Sequence, residues 1–353
     1  MTHFVLVYFV VLVALCCLAA YAERRQPFLL LFTFTAGSAL AGAMIGVGAL
    51  HVLAWAAGLL MLAGAVAFIF REFLAILSGP ETEREVRAAP LTASFGLFVV
   101  AAYAVAAVFA PMIAPFGEAE VVASAFAPPD GQMLLGADQL GRDLFSRLVF
   151  GARNSVGIAL AATLLAFLAG AFAGLLAAVR GGAVDMVLGR AADVVMSVPS
   201  LIFALLMLSI LGTSVPVIIG VVAVIYTPRV FRLSRAVAGN IVVMDYIEAA
   251  RLRGEGTLYL IWREILPNAT APLVAEFGLE FCFVFLLISG LSFLGLGLQP
   301  PTADWGSMVR ENATLISFGD LTPLIPAAAI ALLTVAVNFV VDWLLWRSSG
   351  LKE

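Results

Sequence analysis

Apolar residues fall along the chain in blocks of membrane length, separated by short polar breaks. The blocks are Phe4–Ala20, Phe28–Gly48, Val52–Phe70, Phe95–Ile113, Val156–Val179, Leu201–Leu211, Val215–Ile225, Pro272–Leu298 and Pro323–Trp346. A helix crossing the hydrocarbon layer needs about 20 apolar residues, so the pattern predicts about nine helices. The two blocks around Gly212–Pro216 are short, and their helices must extend into flanking residues such as Pro199 and Pro228. Thr213 and Ser214 are candidate N-caps there, with Pro216 tolerated in the first turn.

Composition agrees with a membrane-embedded chain. Of the 353 residues 63% are hydrophobic and 12% charged, with a mean hydropathy of +1.09; a soluble domain carries about 25% charged residues. The net charge of −4 is spread over loops and gives no footing for nucleic acid. Cys16, Cys17 and Cys282 all sit inside apolar blocks, as membrane-embedded thiols would, and His3 and His51 are too far apart in sequence to mark a metal site. The only lysine is Lys352, so a Walker A loop cannot be built here. The expectation is therefore no catalytic residue, no metal and no cofactor on this chain; any ATP and Mg would be held by a partner.

Basic residues orient the spans. With each block crossing once, Arg142, Arg147, Arg153 and Arg310 fall on one side, and all other arginines and Lys352 on the other. The split predicts an external N-terminus and a cytosolic C-terminus in a multi-pass inner-membrane protein. Ala20-Tyr21-Ala22 resembles a signal-cleavage site, but the first apolar block has no basic residue before it and is followed by Arg24 and Arg25; that order favours a retained helix. Residues 71–91 read as a cytosolic linker broken at Gly79-Pro80. The linker would separate extra helices in residues 1–70 from a core in residues 92–347.

Two features of the core carry candidate chemistry. In residues 240–267, Asp245–Arg253 reads as a helix stopped at Gly254 by a left-handed C-cap. Gly256 and Thr257 then start a second helix with Leu258, Ile261, Trp262 and Ile265 at helical spacing. Leu266 precedes Pro267, which disfavours helix at that point, and Asn268 or Thr270 could cap the next span. The second feature is Glu276 and Glu280, one turn apart on one helix face. Carboxylates in lipid are costly, so the pair should face the bundle interior or a water-filled path, as a lining for a polar or cationic substrate; alternatively Glu276 lies near the cytosolic headgroups and Glu280 pairs with another helix.

Three blocks together resemble a known family. Glu248-Ala249-Ala250, Gly254 and Ile265-Leu266-Pro267 look like the EAA loop of ABC-importer permeases. Leu135–Arg147, holding Asp138, Gly141, Arg142 and Asp143, with Gly151–Ser155 after it, is similar to the outer loop of dipeptide, oligopeptide and nickel permeases. Leu291–Gly297 with Pro300-Pro301 and Asp304-Trp305-Gly306 is similar to the outer end of the fifth core helix in that group. Arg190–Asp193 before Pro199, and Asn338 with Asp342, are lesser echoes, and the likeness extends from Thr92 to about Arg347. Two departures stand out: Glu264 where the family has a basic residue or His, and the acidic turn Gly254-Glu255-Gly256.

The resemblance implies an all-α integral membrane fold, a type I ABC-importer transmembrane domain of six core helices plus about three N-terminal ones. It implies a permease subunit of an ATP-driven, binding-protein-dependent importer for peptides or related small solutes. The implied partners are a homologous second permease subunit, cytosolic ABC ATPases, an external solute-binding protein and the bilayer. Glu248, Ala249, Ala250, Gly254, Glu264 and Pro267 would form the ATPase-coupling element. Asp138, Gly141, Arg142, Asp143, Asp304, Trp305 and Gly306 would lie on the binding-protein side. An ion-gradient-driven secondary transporter would also explain buried acids, but the chain has no inverted repeat; a membrane scaffold or channel subunit is a further reading.

Overall fold

A computed structural model describes residues 49–348. The expected spans Phe4–Ala20 and Phe28–Gly48, the residues His3, Cys16, Cys17, Arg24 and Arg25, and the end of the chain at Lys352 lie outside the described residues. The chain divides between Leu91 and Thr92 into two units.

In the first unit, α1 (Ala49–Leu77) runs past its apolar block and is followed by α2 (Pro80–Ala88). The expected linker is thus helical over much of its length. Pro80 occupies the first turn of α2, where its missing N–H costs nothing. Arg87 pairs with Glu83 at 3.2 Å and with Glu72 of α1 at 3.4 Å, tying the two helices together.

The second unit is an all-α bundle. It contains α3 (Leu91–Val108), α4 (Ala110–Ile113), α5 (Leu144–Gly151), α6 (Gly157–Arg180), α7 (Gly182–Met196), α8 (Ser200–Leu211) and α9 (Val215–Val242). After these come α10 (Asp245–Leu252), α11 (Thr257–Tyr259), α12 (Leu266–Phe293), α13 (Trp305–Asn312) and α14 (Leu324–Ser348). A π-helical turn joins α5 to α6 over Ala152–Val156, and another joins α11 to α12 over Leu260–Ile265. Among the described residues six helices are long and apolar enough to cross a membrane, and a seventh span results if α7 and α8 count as one.

Small side chains set the spacing of the centre. Ala162, Ala166, Gly170, Gly174 and Ala178 recur every four residues along α6, a pattern that lets helix backbones approach closely. A Cβ added at Gly170 would meet the carbonyl oxygen of Thr227 at 2.6 Å, and one at Gly174 would meet that of Phe231 at 2.6 Å. Around this contact a core of Leu208, Ile218, Val222, Phe285, Leu291 and Trp305 is buried. Trp305 meets Tyr103 and Phe285 edge-on, with ring centroids 5.4 and 6.1 Å apart.

Several boundaries differ from expectation. Leu201–Leu211 is not a full crossing: α8 has 12 residues and is bent by 83° from α7. Pro199 causes the break by ending one helix direction and serving as N-cap of the next. Helix α9 extends past Ile225 through Pro228, as its short apolar block requires, and runs on to Val242, so Arg229, Arg232 and Arg235 all lie on it. Ser214 is its N-cap residue, without a side-chain hydrogen bond, and Pro216 is in its first turn.

The largest correction concerns Pro267. Helix α12 begins at Leu266, ahead of the proline, and ends at Phe293. The π turn before it is wider than an α turn, and the proline falls in the first turn of α12, where its ring and missing N–H are accommodated. Asn268 and Thr270 cap nothing. Their side chains donate back to the carbonyls of Glu264 (2.7 Å) and Pro267 (2.9 Å).

Candidate functional site

The charged loop after α9 folds into two short helices with one buried and one open face. Helix α10 ends at Arg253, after which Gly254 adopts φ +84°. The N–H of Glu255 donates to the Ala250 carbonyl at 3.2 Å and that of Gly254 to the Arg251 carbonyl at 2.9 Å. This paired closure is the Schellman arrangement, which needs a left-handed residue where Gly254 stands. Gly256 then caps the second helix, as the sequence predicts.

Ile247 and Ala250 point inward with Leu260, Ile261 and Ile265 and join Leu175 of α6, Ala238 and Ile241 of α9, and Ala269 and Leu273 of α12. Each fully buried isoleucine contributes on the order of 1.5–3 kcal/mol. Polar contacts add to the seam: Arg180 Nε donates to Thr257 Oγ1 at 3.0 Å and Arg251 Nη2 to the Val179 carbonyl at 3.4 Å. The other face carries Glu248, Ala249, Arg253 and Trp262 in the open, with Leu252 84% exposed. Glu264 stands 3.8 Å from Arg253 at the edge of this face, and Pro267 is exposed beside it.

At the opposite end of the core, the two predicted outer blocks meet. Asp143 caps α5 by accepting the N–H of Ser146 at 2.8 Å and its hydroxyl at 2.6 Å. Asp304 caps α13 through the N–H of Ser307 at 2.9 Å, and its other oxygen accepts Ser155 Oγ–H at 2.8 Å. Trp305 Nε1 donates to the Leu148 carbonyl at 2.9 Å. Gly141 (φ +77°) and Gly306 leave no room for a Cβ, their neighbours being the carbonyl oxygens of Ala123 and Ser289.

Between the blocks lies a charge cluster. Asp138 Oδ2 receives Arg142 Nε at 2.7 Å and stands 3.3 Å from Arg147 Nε. Glu311 Oε2 receives Arg142 Nη2 at 3.1 Å and Arg147 Nη2 at 3.4 Å. Arg147 also donates to the carbonyls of Glu118 (3.0 Å) and Pro301 (3.2 Å). Asn154 Nδ2 and the Ala303 N–H share Glu118 Oε2 at 3.0 and 2.9 Å. Two cations thus balance two anions in a buried setting, and the geometry is a clamp between loop segments. Asp138, Arg142, Asp143, Asp304 and Trp305 face inward, whereas Leu134, Gln139 and Leu140 form the open tip. On the same loop Asp130 Oδ1 accepts the N–H groups of Met133 (2.6 Å) and Gln132 (2.8 Å), which holds its carboxyl below the usual range.

The third group surrounds the two glutamates. Glu280 is buried, and Arg229 Nε lies 3.2 Å from its Oε1. Glu276 is half-buried one turn earlier. Arg229 stacks over the rings of Phe283 (4.3 Å) and Tyr226 (5.7 Å), and Tyr226 donates its hydroxyl to the Phe283 carbonyl at 3.1 Å.

Glu118, Glu311 and Arg229 are the participants that sequence reasoning missed. Glu311 bonds residues more than 160 positions away, and no spacing rule announces that. Arg229 was within reach: a cation three residues before Arg232 is its neighbour on the helix surface.

Residues 170–346 match the family described as the binding-protein-dependent transport system inner membrane component. The di/tripeptide transport system permease protein DppC of Pseudomonas aeruginosa is 34% identical over 256 residues, covering 70% of this chain and 84% of the relative. The dipeptide transport system permease protein DppC of Haemophilus influenzae is 32% identical over 259 residues, or 71% of this chain and 88% of the relative. The peptide transport system permease protein SapC of Escherichia coli O6:H1 is 33% identical over 258 residues, with 71% and 87% covered. With the bundle and the three clusters in place, these similarities assign the chain: it belongs to the binding-protein-dependent transport-system inner-membrane components, in the dipeptide and oligopeptide group of ABC permeases.

Proposed function

We propose that this chain is one of two membrane-spanning subunits of an ATP-driven importer of peptides, and that α10 and the turn after it receive motion from a cytosolic ATPase. The supporting observation is the two-faced loop: Ile247, Ala250, Ile261 and Ile265 are anchored in the bundle while Glu248, Ala249 and Leu252 stand free. A surface of that kind transmits a push, because what docks on the open side cannot move without moving α6, α9 and α12. Short Ala249 permits close approach of a partner helix, and Glu248 offers it a carboxylate. Glu255 and Glu264 make the surface acidic, so the complementary groove on the ATPase should be basic.

In this reading the second subunit is a homologous permease, ATP and Mg are bound only by the ATPases, and a solute-binding protein delivers the peptide at the tip formed by Leu134, Gln139 and Leu140. The buried clamp behind the tip keeps it in shape. The N-terminus is outside and the loop and C-terminus are cytosolic, as the arginine distribution favours.

Co-purification from native membranes in mild detergent, followed by ATP-dependent uptake in proteoliposomes, tests the reading. Leu252→Glu should lose the ATPase while leaving the permease's melting temperature unchanged. Retention of a fully active ATPase by that variant, or absence of any nucleotide-binding protein from the wild-type preparation, would count against it.

A further inference from the structure

Helix α9 carries three arginines within two turns, Arg229, Arg232 and Arg235, and they are not used alike. Arg232 pairs with Asp193 at 2.6 Å and Arg235 pairs with Asp185, so both are spent bridging α9 to α7. Arg229 turns instead toward α12, where its partner is Glu280. The Glu280 side chain is 2% exposed, whereas that of Arg229 is 41% exposed. The anion lies behind the cation, and much of the guanidinium remains open.

What it opens onto is a cavity of about 300 Å³ lined by Val195, Met196, Pro199, Ser200, Phe203, Tyr226 and Arg229, among others. That volume is at the lower end of small-molecule sites. Among the described residues no acidic side chain lines it. Ser200 opens α8, a 12-residue helix whose first N–H groups have no side-chain cap, and those groups add a positive potential at the same wall. The Arg229–Glu280 pair is a charge contact rather than a well-formed hydrogen bond, and the Glu276 carboxyl, one turn earlier on α12, stands beside both. Phe283 and Tyr226 fix the plane of the guanidinium from the side.

The level of this site in the bundle matters. The stretch of α9 free of charged residues ends at Arg229 and that of α12 begins after Glu280, so the pair stands where both helices pass from uncharged to charged sequence. The bend between α7 and α8 lies beside it. We infer that Arg229 is a binding residue for the carboxylate of the transported solute at the loop-side mouth of the path, with Glu280 as the positioning counter-ion that keeps the guanidinium oriented when no solute is present. The apolar lining then receives a side chain of the peptide. An arginine fork suits a carboxylate because two parallel N–H groups match its two oxygens.

The inference rests on the import reading but is tested without it. The complex, as purified from native membranes, is placed in phosphatidylcholine nanodiscs without the solute-binding protein. Equilibrium dialysis then measures binding of radiolabelled alanyl-alanine and of its C-terminal amide. The free acid should bind about tenfold or more tightly than the amide. Arg229→Gln combined with Glu280→Gln, which removes both members of the ion pair together, should lose binding of the acid about tenfold while leaving binding of the amide unchanged. Equal binding of acid and amide, or full binding by the double variant, would overturn the assignment. Displacement of the dipeptide by phosphatidylglycerol in the disc would give the site to a lipid phosphate and overturn it as well. Intact binding without ATP-dependent uptake would sink the import reading instead.

Discussion

A Cβ built on Gly151 would stand 2.5 Å from Cδ1 and 2.6 Å from Nε1 of Trp305. The indole, buried and hydrogen-bonded to Leu148, has nowhere to retreat, since Tyr103 and Phe285 stand against it. Overpacking of this kind costs about 1–3 kcal/mol. Gly151→Ala should therefore lower the melting temperature of the detergent-purified permease clearly. Gly157→Ala, six residues along with open space around its Cα, should leave it unchanged or raise it slightly. Equal melting temperatures for both variants would contradict the packing described.

Arg147 is the second case. It is fully buried between Asp138 and Glu311, and removing one partner of a buried cluster strands the opposite charge at a cost of about 3–5 kcal/mol. Arg147→Met should reduce folded yield and stability severely. Adding Glu311→Gln should restore part of the loss, because one surplus anion is removed with it. A single variant as stable as the wild type would show the cluster to be idle.

Gly254 tests the loop. Nothing lies within 4 Å of a Cβ there, so the objection to a side chain is conformational, set by φ +84°. An ordinary residue in that region costs roughly 1–2 kcal/mol, and a β-branched one is an outlier. Gly254→Asn should be tolerated. Gly254→Val should leave assembly intact but separate ATP hydrolysis from uptake, read as phosphate released per peptide imported. Normal stoichiometry in the valine variant would contradict the turn's role in coupling.

Glu264 gives the contrast. Its contact with Arg253 is 3.8 Å long and the arginine side chain is 56% exposed, a geometry worth about 0–1 kcal/mol. Glu264→Gln should leave melting unchanged within error. Any fall in uptake would then report on the ATPase contact, and a large loss of stability would show the pair to be stronger than its geometry implies.

Much of this was legible in advance, and the misses have physical causes. Gly254 could be read as a left-handed stop because a glycine after charged helical residues leaves few other conformations. The apolar blocks located six crossings, because lipid demands length and little else. Pro267 misled because the rule for residues before proline assumes an α turn, and here a π turn precedes it. The arginine count gives Arg229, Arg232 and Arg235 a side of the membrane but no partners, because Glu280, Asp193 and Asp185 come from other helices. The clamp of Asp138, Arg142, Arg147 and Glu311 was invisible for the same reason: its members are brought together only by the fold.

The π turn at Leu260–Ile265 has a mechanical consequence. It joins the surface helix to the core without a break, so Thr257–Phe293 is one helical stretch of 37 residues, about 55 Å at 1.5 Å per residue. The Leu260, Ile261 and Ile265 cluster grips that stretch near one end. A displacement imposed at Tyr259 would therefore enter the core along a continuous helix, with Pro267, Pro272 and the π turn as the places where that helix can bend.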